Sequence, residues 1–313
     1  MNRRRIAIGV SSVSGLAVAA VGVMSMFSSG NPANAVDLHT TPIAAVTGAG
    51  GATDRAGTAQ VDSLLTMTTP AEPAQGKSAP VPAKTATMHG VGLYDFGKQT
   101  GKIDLTLGTG ALEEVLTPAA LYMRPATPPP ATGKEAAPAP AKANWTRVDA
   151  DKSSDGNLVS GGVISPALAF TMLAAAQPGV KTVGQDQVRG VPVAHYQGTL
   201  DLQQAATAPD PAGVRPEDAA AAKKALANAA RAFATTKVPF DAYLDEQGRL
   251  RRFVAVFSFA MPSAPKSVAQ VTSATELFGF GTPVTVAVPV VPAAAPAPAT
   301  PPAHPSSPSG AHK

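Results

Sequence analysis

The sequence predicts an α+β fold built on one large antiparallel sheet, and three observations carry that prediction. Val238–Phe259 (VPFDAYLDEQGRLRRFVAVFSF) contains two runs of strand-like composition around Asp245-Glu246-Gln247-Gly248, where Gly248 can take the positive φ of a tight or bulged hairpin loop. After the turn Phe253, Phe257 and Phe259 share one face at period two with Ala255, while Val254 and Val256 share the other below Arg252. A strand apolar on both sides is covered twice or turns one side to a cavity, which places this hairpin at the centre of the sheet. The remaining chain supplies enough similar segments for about ten strands in all. Only two helical segments accompany them, both between hairpins in the second half, so there is no βαβ alternation and the sheet is antiparallel.

In chain order, Asn2-Arg3-Arg4-Arg5, the apolar Ile6–Phe27 and the small-x-small Ala33-Asn34-Ala35 after Asn31-Pro32 read as a secretory signal peptide over 1–35, cut after Ala35. The rival reading is an uncleaved membrane anchor, since 22 residues are long enough to span, although Ser11, Ser12, Ser14 and several glycines weaken it. Either way the folded part is extracytoplasmic. Residues 36–57 read as a flexible, loop-like segment with Gly48, Gly50 and Gly51 at its centre. A strand over Thr58–Thr69 carries Val61, Leu64, Leu65 and Met67. A Pro/Ala insertion near 70–86 separates it from strands at Thr87–Phe96 and Lys102–Leu107, the latter alternating Ile103, Leu105 and Leu107 with Lys102, Asp104 and Thr106. Strands at Leu112–Leu116 and Ala119–Met123 precede a second insertion near 124–143 that composition marks as disordered, then a short strand at Trp145–Val148.

Ser165 is placed to cap a helix over Pro166–Ala176, with Pro166 at its first position and Leu168, Met172 and Ala175 on one face. Strands Val180–Val188 and Val191–Leu202 turn at Arg189-Gly190; the second puts Ala194, Tyr196, Leu200 and Leu202 on one face. A helix over Pro216–Thr235 has Glu217 and Asp218 at its positive end and a narrow stripe of Ala222, Leu226, Ala229 and Phe233. Such an alanine-rich stripe suits a helix that lies over a sheet and moves. After the central hairpin, Val268–Phe278 and Pro283–Val288 read as closing strands, and 289–313 as a disordered Pro/Ala tail. The folded domain is 58–288, one core.

Composition narrows the function. The chain has 313 residues and a formal net charge of +4, but Arg3, Arg4 and Arg5 supply three of those four charges, and no basic stripe interleaved with aromatics points to nucleic acid. The absence of cysteine excludes disulfides, thiolate metal sites, cysteine nucleophiles and lipid attachment at an N-terminal cysteine. Asp151–Gly156 resembles half of a calcium loop, but position twelve is Gly162 where a bidentate Glu is required, so it reads as a surface turn. Gly76-Lys77-Ser78 lacks the first glycine of a phosphate loop. His89 and His195 sit in strands with no nameable partner and read as structural or surface residues. Glu113 and Glu114 are adjacent in a strand, point to opposite faces and form no carboxylate dyad. The chain reads as no enzyme, without catalytic residues, metal or cofactor. The aromatic set reads first as plain core, and alternatively as the lining of an apolar pocket between sheet and helices.

Three blocks also carry a resemblance: Met88–Phe96 with Gly184–Val188, Gly190 and His195–Asp201; Phe240–Asp245 with Gly248–Arg252; and Gly279–Val286 ending at Pro289. Their order resembles the actinobacterial envelope lipoproteins of the LppX/LprG type, which share the LolA-like lipoprotein-carrier fold. The resemblance runs from about Thr58 to Pro289 and implies a curved antiparallel half-barrel with helices against its concave face and an apolar cavity for acyl chains between them. It departs from the family in lacking the lipobox cysteine, which favours a secreted or signal-anchored form. The implied function is binding or transfer of lipid or lipidated molecules in the cell envelope, with transient membrane contact and an envelope protein partner. The candidate lining is Leu168, Met172, Tyr196, Leu200, Leu226, Phe233, Phe253, Phe257 and Phe259. The alternative is a sensor or protein-interaction domain on the same fold.

Overall fold

The computed structural model describes residues 40–71, 80, 82–108, 110–126, 145–159, 161, 164–210, 215–261 and 264–291. The signal peptide with Ala33 and Ala35, most of both insertions and residues 292–313 lie outside the described residues. In chain order the elements are α1 (Pro42–Asp54), β1 (Thr58–Thr69), β2 (Lys84–Asp95), β3 (Thr100–Leu107), β4 (Gly110–Leu116), β5 (Ala120–Pro125) and β6 (Thr146–Asp149). There follow α2 (Pro166–Ala174), β7 (Lys181–Val188), β8 (Val191–Asp201), α3 (Leu202–Ala205), α4 (Pro216–Ala232), β9 (Lys237–Leu244), β10 (Leu250–Met261) and β11 (Ala264–Phe278). The eleven strands make one open, curved sheet in the order β6-β5-β4-β3-β2-β1-β11-β10-β9-β8-β7. This is the α+β half-barrel that the sequence implies. Every pairing is antiparallel. β1 is the middle strand, and the Phe-rich β10 lies two strands to one side of it rather than at the centre. No helix among the described residues is long and apolar enough to cross a membrane.

Strand parity explains the two faces. Val61 and Leu65 of β1, Ile103 and Leu105 of β3, Phe253 and Phe257 of β10 and Val271 of β11 all point into one core with residues of α1, α2 and α4. Ser63 and Thr275, opposite each other in the β1–β11 register, satisfy one another on that face through a 3.1 Å hydroxyl hydrogen bond. The residues that alternate with these along each strand face outward. The β9–β10 hairpin is organised by Asp245, whose Oδ1 accepts from the backbone N–H of Gln247 and Arg249 at 3.1 and 3.0 Å, with Gly248 at φ +72°. At one end of the sheet β6 has only four residues, and at the other β7 is exposed along most of its length and shifts register between Thr182 and Gly184.

Three sequence expectations are corrected. Residues 36–57 are not a flexible segment throughout, because Pro42–Asp54 is a helix with Val46, Ala49 and Thr53 buried. Its glycines lower helix propensity by about 1 kcal/mol each, but Gly50 permits close packing: a Cβ there would lie 2.9 Å from Cβ of Phe170 in α2. Thr53 fastens α1 to the β9–β10 hairpin, accepting the Leu250 N–H at 2.8 Å. Pro283–Val288 is not a strand. β1 is already paired on both sides and prolines remove ladder donors, so this segment instead crosses the outer face, where Val286 and Val291, like Trp145, pack on Val115, Ala120 and Tyr122. It is tied at its start by Thr58 Oγ1 donating to the Thr282 carbonyl at 2.6 Å. Finally, α4 ends at Ala232, and Phe233 is extended beyond it because Ala234 N–H bonds the Ser258 carbonyl of β10.

Candidate functional site

The interface between the concave face and its helical roof is built from three helices of different character. α2 is apolar nearly all round and buried from Pro166 to Leu173 apart from Ala167, because α1, the sheet and α4 surround it. Ser165 stands at its N-cap position but makes no capping bond; its hydroxyl lies 3.3 Å from that of Tyr94. Tyr94 is fully enclosed, and burial pushes its phenol pKa well upward. α4 contributes a thinner layer, with Ala219, Ala225, Leu226 and Ala229 buried. Its outer side is held by Asn228, whose amide donates to the carbonyls of Asp151 and Ser153 at 2.8 and 3.0 Å, and by Lys223 on Asp210 at 2.5 Å. Gly156 touches α4 so closely that a Cβ would sit 2.2 Å from the Ala225 carbonyl oxygen.

The structure brings all nine candidate lining residues into this one cluster. Leu168, Met172, Leu200, Leu226, Phe233, Phe253 and Phe257 are buried, and Tyr196 and Phe259 pack against them half-buried. Phe233 meets Phe257 and Phe259 with ring centroids 5.1 and 4.5 Å apart. Phe240, which sequence parity had not put among the candidates, stands 6.3 Å from Phe253. Among the described residues these contacts pack the interface closely. The cavity beneath α2 and α4 has a volume of about 40 Å³, and Leu168 is the one candidate that lines it, with Gln99, Leu116, Leu121 and Thr171 among its neighbours. That is room for water, against roughly 300–1,000 Å³ in a pocket for a lipid-sized molecule.

One group on this face departs from the apolar pattern. Glu114 lies opposite Ile103 and Met123, with no exposed surface and no hydrogen-bond partner for either carboxyl oxygen. Burial pushes its pKa up to about 8. Sequence parity separates Glu113 from Glu114 but does not say which face is covered. Glu113 proves to be the outward one, paired with Lys102 at 2.9 Å and with Arg124, and these partners hold its pKa below the usual range.

The outer face carries a polar patch over β1, β2, β10 and β11. A groove of about 380 Å³ is lined by Asp62, Leu64, His89, Arg189, Tyr243 and Arg252, among others. Arg189, at the β7–β8 turn with φ +51°, bridges Asp62 and Glu276 and lies 3.9 Å from the centre of the Phe278 ring. Both strand histidines have carboxylate partners invisible in the sequence: His89 with Asp62 at 2.8 Å, and His195 with Asp241 at 2.7 Å while stacked on Tyr243. Among the described residues no cluster of three or more His, Cys, Asp or Glu side chains could hold a metal ion.

No family model matches the chain, and no curated protein matches it. Among solved structures it is similar to the Mycobacterium tuberculosis lipoprotein LppX, at 11% identity over 79% of this chain and 98% of that one, with a TM-score of 0.39. LprF from Mycobacterium bovis follows at 11% identity, 80% and 97% coverage and a TM-score of 0.35. A DUF1329 family protein from Desulfovibrio piger has 10% identity, 79% and 96% coverage and a TM-score of 0.26.

Proposed function

We propose that this is a non-enzymatic, extracytoplasmic protein of the cell envelope that binds the acyl part of lipids or lipidated molecules between the concave face and its helices. The observation that carries the reading is the apolar interface itself, whose cover beside Phe257 and Phe259 is the single helix α4, with a mostly alanine inner stripe around Leu226 and with Phe233 at its end. The interface is closed, so a guest enters only when α4 lifts and the nine residues that now touch one another touch hydrocarbon instead. Each CH₂ buried contributes roughly 0.8 kcal/mol, so one long acyl chain offers on the order of 10 kcal/mol against the contacts α4 gives up. Membrane contact is then transient, during exchange, and the N-terminal segment acts as a secretory signal cut after Ala35.

The filled interface favours a second reading, a sensor or protein-interaction domain whose core never opens. Native mass spectrometry separates the two. Protein purified from its own envelope, or incubated with phosphatidylcholine vesicles, is expected to carry adducts of lipid mass. Protein that stays free of adducts under both conditions and co-purifies with one envelope protein in fixed ratio establishes the second reading.

A further inference from the structure

Glu114 sits where a carboxyl group is least stable. Its neighbours on the concave face are Ile103 and Met123 across the ladder, and Leu112 and Leu116 two residues away on β4. The charged side chains of β4 and its flanking strands, Glu113, Lys102, Asp104 and Arg124, belong by parity to the opposite face. α2 carries no titratable side chain, and the buried Asp218 of α4 is already held by Arg215 at 2.6 Å. Tyr94, the titratable group facing inward from β2, stays protonated. Both Glu114 oxygens are without partners, and desolvation alone accounts for the raised pKa. A carboxyl in this position is held as the neutral acid while the roof is closed.

We propose that Glu114 is a proton-linked latch on the concave core: the packed core, where its next inward neighbour on β4, Leu116, lines the cavity beneath α2 and α4, keeps its carboxyl protonated, and an opening that admits water there releases the proton. As regulation of the site, this rests on the lipid-binding reading above, although the linkage between opening and proton release is a property of the fold alone. Once hydrated, the carboxyl returns toward the ordinary range near 4.5, so between that pH and about 8 the open population rises by about tenfold per pH unit. Loading is therefore favoured toward alkaline pH and sealing toward acidic pH. A guest that fills the opened space meets a carboxylate able to accept a hydrogen bond.

The test uses the full chain and its Glu114→Gln and Glu114→Leu variants at about pH 5.5, 6.5 and 7.5. Amide hydrogen exchange in α2 and α4, corrected for the intrinsic rate, reports opening without lipid. Uptake of pyrene-labelled phosphatidylcholine from phosphatidylcholine vesicles, whose headgroup does not titrate in this range, reports loading. Wild type is expected to lose protection and gain uptake by about tenfold per pH unit, while both variants are flat and Glu114→Leu is the best protected. A variant that keeps the wild-type slope, or a wild type without one, overturns the latch, whether or not lipid is taken up. A Glu114-dependent exchange slope with no uptake at any pH supports the latch and defeats the lipid-binding reading.

Discussion

On the convex face Arg189 and Arg252 converge on Glu276, at 2.6 and 2.8 Å, and Arg189 also takes Asp62. On the concave face Glu114 stands among hydrocarbon with neither oxygen partnered. The contrast is sharpest within β4, where Glu113 and Glu114 are chemically identical, consecutive and separated only by strand parity. One has its charge stabilised by Lys102 and Arg124, and the other has its charge suppressed by burial. The difference teaches that in this fold ionisation state is assigned by the side of the sheet, not by residue type.

The largest effect that tests this contrast is pH. The folded-state pKa of Glu114 is raised above its unfolded value, so the native protein holds a proton that the unfolded chain has given up. Stability is expected to fall as pH rises from about 4.5 to about 8, by up to about 5 kcal/mol, read as a decline in urea midpoint that Glu114→Gln removes. A flat wild-type profile over that span would break the comparison. Next, Phe257→Ala should cost about 3–5 kcal/mol in denaturant unfolding, because Phe257 has no exposed surface and supports Phe233. A much smaller loss would mean the concave face is not the packed core described. Gly92→Ala should cost about 1–3 kcal/mol or more, since its Cβ would fall 2.0 Å from the Lys102 carbonyl oxygen across the ladder. The smallest effect belongs to Glu113→Gln, about 1 kcal/mol or less at neutral pH for a partly exposed cluster. Its sign is opposite to that of Glu114: the folded pKa is lowered, so the stabilisation is present above about pH 4.5 and is lost as pH falls below it. Urea titrations of that variant on the acid side should show the lost slope.

The sheet was legible in the sequence because its strands alternate strongly. The faces of β3, β8 and β10 and the turns at Arg189-Gly190 and Gly248 follow from period and turn chemistry alone. The helix α1 was not, because three glycines read as a loop when the contact between Gly50 and Phe170 that rewards them is 120 residues away in sequence. The Pro283–Val288 segment has strand composition but leaves β11 beside β1, which is already paired on both sides, a fact that only topology supplies. The nine candidate residues were legible as one apolar cluster. The amount of space among them was not, because volume is the residue of side-chain packing and has no periodicity. Glu114 was visible as an inward or outward carboxylate, but burial was needed to choose.

Among the described residues, an eleven-stranded sheet that does not close leaves two rims, each a template for another chain's strand. Here one rim is the four-residue β6, and the other begins at Lys181 and is broken by the shift at Gly184. Brevity, a positive charge and a bulge are the features that discourage edge-to-edge polymerisation. They predict that straightening β7 by deleting Gly184 makes this rim more adhesive, read as concentration-dependent association in size-exclusion chromatography that the unaltered chain does not show.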